Sequence, residues 1–134
     1  MTKDPICALP DDSVADVARL MKVLDVGPVP IVESDENRVL VGIVTDRDLA
    51  LKVVAQGLDP EATRAADVMT RAVVSCWEGE NLVKALNAMA NNQLRRIPVV
   101  DAEGCIVGII AQADIATRVA EPEKTGELVK DISQ

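Results

Sequence analysis

Val41-Gly42-Ile43-Val44-Thr45-Asp46-Arg47-Asp48-Leu49 returns later in the chain as Val107-Gly108-Ile109-Ile110-Ala111-Gln112-Ala113-Asp114-Ile115. In each copy an apolar run of strand character ends in a short polar step and continues as a helical pattern. Upstream of each lies a second apolar run with a proline at the same place, Val29-Pro30-Ile31-Val32 in one and Ile97-Pro98-Val99-Val100 in the other. Polar turns separate the paired runs, Glu33 to Arg38 in the first copy and Ala102-Glu103-Gly104 in the second. A repeat near half the chain length predicts two similar units that bury apolar faces against each other, with a cleft between them as the place to seek function.

Working outward, the first repeat opens with an extended piece, Pro5-Ile6-Cys7-Ala8. Ser13 is a natural N-cap for a helix whose Val14, Val17, Ala18 and Met21 share one face, and Gly27-Pro28 ends it. Ile31-Val32 and Val39 to Val44 read as strands, and a second helix runs from about Asp46 to Gln56 with Gly57 as its C′ residue. The second repeat copies this order. Val73-Val74-Ser75-Cys76 is extended, Asn81 caps a helix with Leu82, Ala85, Leu86 and Met89 on one face, and the last helix spans about Gln112 to Val119. The expected division is repeat 1 over 1–60, a linker over 61–69, repeat 2 over 70–121, and a tail over 122–134. The tail reads as a short helix capped by Thr125, whose Leu128, Val129 and Ile132 need a partner surface.

Composition narrows the function classes. The chain of 134 residues is 49% hydrophobic, yet Trp77 is its only aromatic residue, so the core must be aliphatic. No apolar run approaches a membrane span. The N-terminal Met1-Thr2-Lys3-Asp4-Pro5 has no apolar signal region, so a cytoplasmic location is expected. A net charge of -8 argues against nucleic acid as partner, but not against a small anion held by local arginines. There is no histidine, which removes the commonest general base, the usual metal ligand and the common nucleophile dyads together. Cys7, Cys76 and Cys105 lack C-x-x-C spacing and read as reduced thiols, so no metal site is expected.

The residues that carry chemistry lie at the strand-to-helix steps. At Thr45-Asp46-Arg47-Asp48, free N–H groups and the positive helix end favour a phosphate, the Thr45 hydroxyl adds a donor, and Asp48 can accept from two neighbouring hydroxyls such as a ribose presents. The same residues also spell a capping box, Thr45 at N-cap and Asp48 at N3. In the second copy Ala111 has no hydroxyl, yet Asp114 recurs in register. An acid kept without its capping partner raises the weight of a ligand role to match that of capping. Overlay of the repeats sets Arg95 against Gly27 and Arg96 against Pro28, so only the second copy brings cations to its step.

With these residues in hand, the chain resembles a tandem pair of CBS domains, named after cystathionine β-synthase, of the small stand-alone bacterial type. Gly42 to Asp48 fits the family pattern at every fixed position, and Gly108 to Asp114 fits except at Ala111. The resemblance covers nearly the whole chain. It implies a mixed α+β fold of two β-α-β-β-α repeats about a pseudo-twofold axis, commonly paired as a homodimer. It implies an adenosyl ligand in the cleft: AMP, ADP, ATP or S-adenosylmethionine. Carried over, Asp48 and Asp114 would accept from ribose, Thr45 would donate to phosphate and Arg96 would be its cation. Adenine would lie near Ile6 and Val29 in one site and near Val74 and Ile97 in the other. The implied protein is a regulatory module that binds the nucleotide and signals to a protein partner, with no catalytic cofactor and no enzymatic activity. Ala111 and Pro28 make two equal sites unexpected, so one better site built on Thr45 and Asp48 is anticipated, with Arg96 reaching its phosphates across the axis. The rival readings are a dimeric stress or scaffold protein with a vestigial cleft, and a redox or metal sensor using Cys7 and Cys76.

Overall fold

A computed structural model describes residues 1–119, and its backbone divides into two compact units. One is Ile6–Val73. The other joins Met1–Pro5 to the chain from Val74 onward. The expected tail helix over 122–134 lies outside the described residues. Among them, no helix is long and apolar enough to cross a membrane.

In the first unit, α1 (Val14–Leu24) starts at Ser13, whose side chain accepts from the Asp16 N–H. It buries Val14, Ala15 and Val17. Ala18, expected on that face, is exposed. The helix stops before Gly27, because Asp25 turns left-handed at φ 54 and its N–H bonds back to Met21. β2 (Pro28–Val32) then pairs antiparallel with β3 (Leu40–Thr45), Pro28 facing Thr45 and Ile31 facing Gly42. The proline-bearing strand is tolerated because it is short and sits at the margin of a two-stranded ribbon. The piece around Ala8 contributes one parallel bridge, to Ile31.

β3 runs directly into α2 (Asp46–Asp48), which continues as a π-helical stretch (Leu49–Val54) in place of the plain α-helix the periodicity predicts. Chain 61–69, read as a spacer, carries α3 (Ala65–Val68), and Ala65, Val68 and Met69 belong to the unit's apolar core. That core also holds Ala8, Val14, Val17, Val29, Ile31, Val44 and Val53, all aliphatic.

The second unit repeats the order. β4 (Cys76–Trp77) lies parallel to β5 (Arg96–Val100), which pairs antiparallel with β6 (Ile106–Ala111). Between them, α4 (Leu82–Asn91) is capped by Asn81 accepting from Lys84 N–H, and buries Leu82, Ala85 and Met89 as its spacing predicts. α5 (Gln112–Val119) follows β6 without a break. A fourth strand, β1 (Thr2–Lys3), comes from the chain's first residues and pairs with β6, Thr2 opposite Ile109.

Both units close their ribbon in the same way. In the first, Thr70 bridges Ile43; in the second, Thr2 faces Ile109. Both threonines belong to a Met-Thr-basic triplet, Met69-Thr70-Arg71 and Met1-Thr2-Lys3. The two strand glycines make room for it. A Cβ on Gly42 would stand 2.5 Å from the Met69 sulfur, and one on Gly108 would stand 2.7 Å from the Met1 sulfur and 2.9 Å from the Thr2 carbonyl oxygen. These glycines are required by close approach.

Candidate functional site

The step in the first unit is a complete capping box. Thr45 has extended backbone, and its Oγ1 accepts from the Asp48 N–H at 3.1 Å. The Thr45 N–H in turn donates to Asp48 Oδ2 at 2.9 Å. The Asp46 N–H is taken by the Gly27 carbonyl at 3.0 Å, and the Arg47 N–H by Asp46 Oδ1 at 2.9 Å. The second carboxylate oxygen of Asp48, Oδ1, meets the Lys52 ammonium at 3.0 Å. Asp48 is thus a sheltered acid, 12% exposed, with both oxygens engaged.

The second unit holds half of this device. The Ala111 N–H donates to Asp114 Oδ2 at 3.3 Å, and the Gln112 N–H to the Arg95 carbonyl at 2.6 Å. Ala111 has no oxygen to return to the Asp114 N–H. The N-terminal ammonium of Met1 lies 3.9 Å from Asp114 Oδ2, and the acid is 47% exposed. These contacts correct one step of the sequence argument. Asp114 does cap without a hydroxyl partner, so its recurrence is accounted for by the helix end alone and adds no weight to a ligand.

The overlay of the two copies is realised in the strand registers. Arg96 faces Ala111 as Pro28 faces Thr45. Gly27 and Arg95 supply equivalent carbonyls to the two helix starts. Arg95 and Arg96 are both exposed, and among the described residues neither makes an ion pair. Arg96 therefore flanks the step that lacks a hydroxyl, within its own unit.

The four residues expected around adenine divide into two kinds. Ile6 is 56% exposed and Val74 is partly buried, so both keep open surface. Val29 and Ile97, in contrast, sit in the two apolar cores at about 1% and 0% exposure. Their side chains pack on neighbours here, because the inward pleat of β2 and β5 is the core side of each ribbon.

The three cysteines are free thiols. Burial, reinforced by Glu80, pushes the Cys76 thiol up to about 11. Burial also raises Cys7, against the opposing charge of Arg38, whose guanidinium lies 3.6 Å from the sulfur. Cys105 shares the β5–β6 turn with Asp101 and Glu103, and ligand atoms of the three lie within 4.8 Å of one another. That grouping has a turn's explanation, since Asp101 Oδ1 accepts from the N–H groups of Glu103 and Cys105 at 2.9 and 3.0 Å. Desolvation and the two carboxylates raise the Cys105 thiol. Alkylation of the native protein at pH 8 is expected to reach Cys76 at least about tenfold more slowly than Cys105. All three thiols should react alike in urea. Mass spectrometry of timed aliquots reads this, and a native Cys76 that reacts first would contradict the burial argument.

Two β-α-β-β-α units, each ending in a glycine-bearing strand and an acid at the start of the next helix, match a known sequence family. The CBS domain model matches this chain twice, over residues 1–55 and 65–121. The chain belongs to the CBS-domain family. It is 38% identical over 133 residues to the CBS domain-containing protein YhcV of Bacillus subtilis, covering 99% of this chain and 91% of that one. Among solved structures it resembles Hypoxic Response Protein I with two coordinated zinc ions, at 32% identity and TM-score 0.78, covering 87% of this chain and 92% of that one. It also resembles CBSX2 in complex with AMP, a protein of Arabidopsis thaliana, at 26% identity and TM-score 0.75, covering 92% of this chain and 94% of that one. The mixed helix-and-strand fold expected of a CBS pair is the fold found.

Proposed function

We propose that this CBS pair is a regulatory module that binds an adenosyl ligand, AMP, ADP, ATP or S-adenosylmethionine, and passes a conformational signal to a protein partner. The observation that carries the reading is Asp48: a sheltered carboxylate at the strand-to-helix step, beside the Thr45 hydroxyl and inside a family pattern complete from Gly42 onward. A carboxylate so placed can accept from the two adjacent hydroxyls of a ribose. Ile6 offers exposed apolar surface for a base, and Val29 lies in the apolar core of the same unit. In the second unit Asp114, Arg96, Val74 and Ile97 are the corresponding set, with a cation gained and the hydroxyl lost. The AMP complex of CBSX2 supports the ligand class. The reading assigns the pair a binding role, and the sequence holds no histidine to act as a general base. Ligand can act on a partner only through unequal affinity for two conformations. Calorimetric titration of the four adenosyl ligands tests this: saturable heat from at least one is expected, and none from any, with the protein folded, would refute it.

A scaffold without ligand is the second reading. It is favoured by the closed state of the first step, where Thr45 and Asp48 already satisfy each other.

We also propose that the chain forms a homodimer. Leu51, Val54 and Leu58 stand 47%, 76% and 46% exposed along one stretch of the first unit, a run of apolar surface that a second copy could cover. Light scattering after gel filtration should give twice the chain mass for the native protein. Leu51→Lys with Val54→Lys should shift it to the monomer mass, and an unchanged dimer would place the interface elsewhere.

A further inference from the structure

Lys52 lies outside the motif that names the family, yet it touches the site acid directly. It sits one helical turn past Asp48, where a side chain four residues on meets the first. Its ammonium is 3.0 Å from Asp48 Oδ1 and donates to the Val68 carbonyl at 2.8 Å. Val68 ends α3, the negative end of that short helix. Met69 comes next, with its side chain packed over Gly42, and then Thr70, whose N–H and carbonyl both bond to Ile43 of β3. One cation therefore ties the acid of the step to the segment that closes the ribbon. All these residues belong to the same compact unit.

A diol arriving at Asp48 needs two acceptor sites on the carboxylate, each of whose oxygens has two, and it takes the oxygen whose present partner is easier to displace. Oδ2 is held by the Thr45 N–H as part of the cap, and opening it would unsatisfy a backbone donor. Among the described residues Oδ1 is held by Lys52 alone, whose side chain is 45% exposed and can exchange its carboxylate for water at small cost. Lys52 is thus the contact that yields. It also rides on the π-helical stretch Leu49–Val54, the irregular part of this helix, and such stretches recur at functional sites.

We propose that Lys52 is a built-in competitor and relay. It occupies the Asp48 oxygen that a ligand hydroxyl takes, and its release on binding loosens the Val68 end of α3 and the Met69–Thr70 segment behind it. This deepens the proposed function and rests on Asp48 being the hydroxyl acceptor. It assigns a route from site to surface: acid, lysine, α3 carbonyl, closing segment.

The test uses the whole chain with adenosine as probe, since it has the diol and no phosphate. Lys52→Met should bind adenosine about two- to five-fold more tightly than the native protein, as expected for removal of one partly exposed ion pair. Lys52→Arg should restore native affinity. Weaker adenosine binding by Lys52→Met would show that the lysine holds ligand and overturn the competitor role, as would unchanged affinity. Hydrogen exchange without ligand tests the relay separately. The Met69 and Thr70 amides should exchange about two- to five-fold faster in Lys52→Met and also in Asp48→Asn. Acceleration in Lys52→Met alone would break the link from acid to α3, and so would no acceleration in either. Should the native protein bind no adenosyl ligand, the proposed function fails, while the exchange experiment still decides whether Asp48 and α3 are coupled through Lys52.

Discussion

Asp48→Ala is expected to lower affinity for the adenosyl ligand by about 10- to 100-fold. Loss of one charged hydrogen bond to a ribose hydroxyl costs roughly 1.5–3 kcal/mol, and about 1.4 kcal/mol is a factor of ten, so this range is the least expected of an acid that accepts two. The same change removes the acceptor of the Thr45 N–H and the partner of Lys52. A stability loss of about 1 kcal/mol should accompany it, the usual cost of a lost cap. Asp48→Asn separates the two effects. The amide oxygen can still accept from Thr45, so stability should be nearly kept, whereas acceptance from two hydroxyls by an anion is lost and binding should fall. Asp114→Ala should reduce affinity less, because that acid is more exposed and stands beside a step without a hydroxyl. Calorimetry with a parallel urea melt reads both quantities. Equal binding by native protein and Asp48→Asn would remove Asp48 from the site.

Gly42→Val should destabilise the fold by about 1–3 kcal/mol, the range for overpacking a well-filled interior. The reason is local: the first added carbon already meets Met69 at 2.5 Å from its sulfur and 2.8 Å from its Cγ. Met69→Ala leaves the opposite fault, a void, and should cost about 2–5 kcal/mol. Combined, the two changes compensate, and the double variant should be more stable than the sum of the singles by at least about 0.5 kcal/mol. Gly108→Val should behave as Gly42→Val does, with less relief available, since its neighbour at 2.9 Å is the Thr2 backbone oxygen. That atom can retreat only by parting β1 from β6. Urea unfolding midpoints measure all of these. Strict additivity of Gly42→Val and Met69→Ala would mean that the contact between them does not set the glycine requirement.

The strand pairs and helix caps were legible because each rests on a short-range signal. Val-Gly-Ile-Val and Ile-Pro-Val-Val runs bounded by polar turns specify ribbons, and Ser13 and Asn81 announce helix starts by the chemistry of their side chains. Three features were not legible in that way. The π-helical stretch differs from an α-helix by one hydrogen-bond step, which apolar spacing over so few residues does not resolve. The closing segments are too short to show a period, and the clue lay in the recurrence of Met-Thr-basic ahead of each sequence repeat. The same clue accompanies the packing of residues 1–5 with the second repeat and the joining of 65–69 to the first core, across the divisions drawn from the internal repeat. At the site, the pairing of Thr45 with Asp48 followed from capping-box spacing, and the equivalence of Arg96 with Pro28 from the overlay of the repeats. Lys52 did not, since an exposed lysine four residues past an acid is ordinary on any helix and gains meaning only from the α3 carbonyl it also holds. Val29 and Ile97 were placed at the base by the family resemblance and not by a signal in the residues themselves. Their burial shows that the ribbon's inward face claims them first.

The most direct measurement is a crystal structure of the protein grown with whichever adenosyl ligand binds in calorimetry. The ribose hydroxyls are predicted within about 2.6–3.2 Å of the Asp48 carboxylate, with the Lys52 ammonium withdrawn from Oδ1. A ligand seated only at Asp114, or held with its ribose away from both acids, would contradict the assignment of Asp48 as the acceptor.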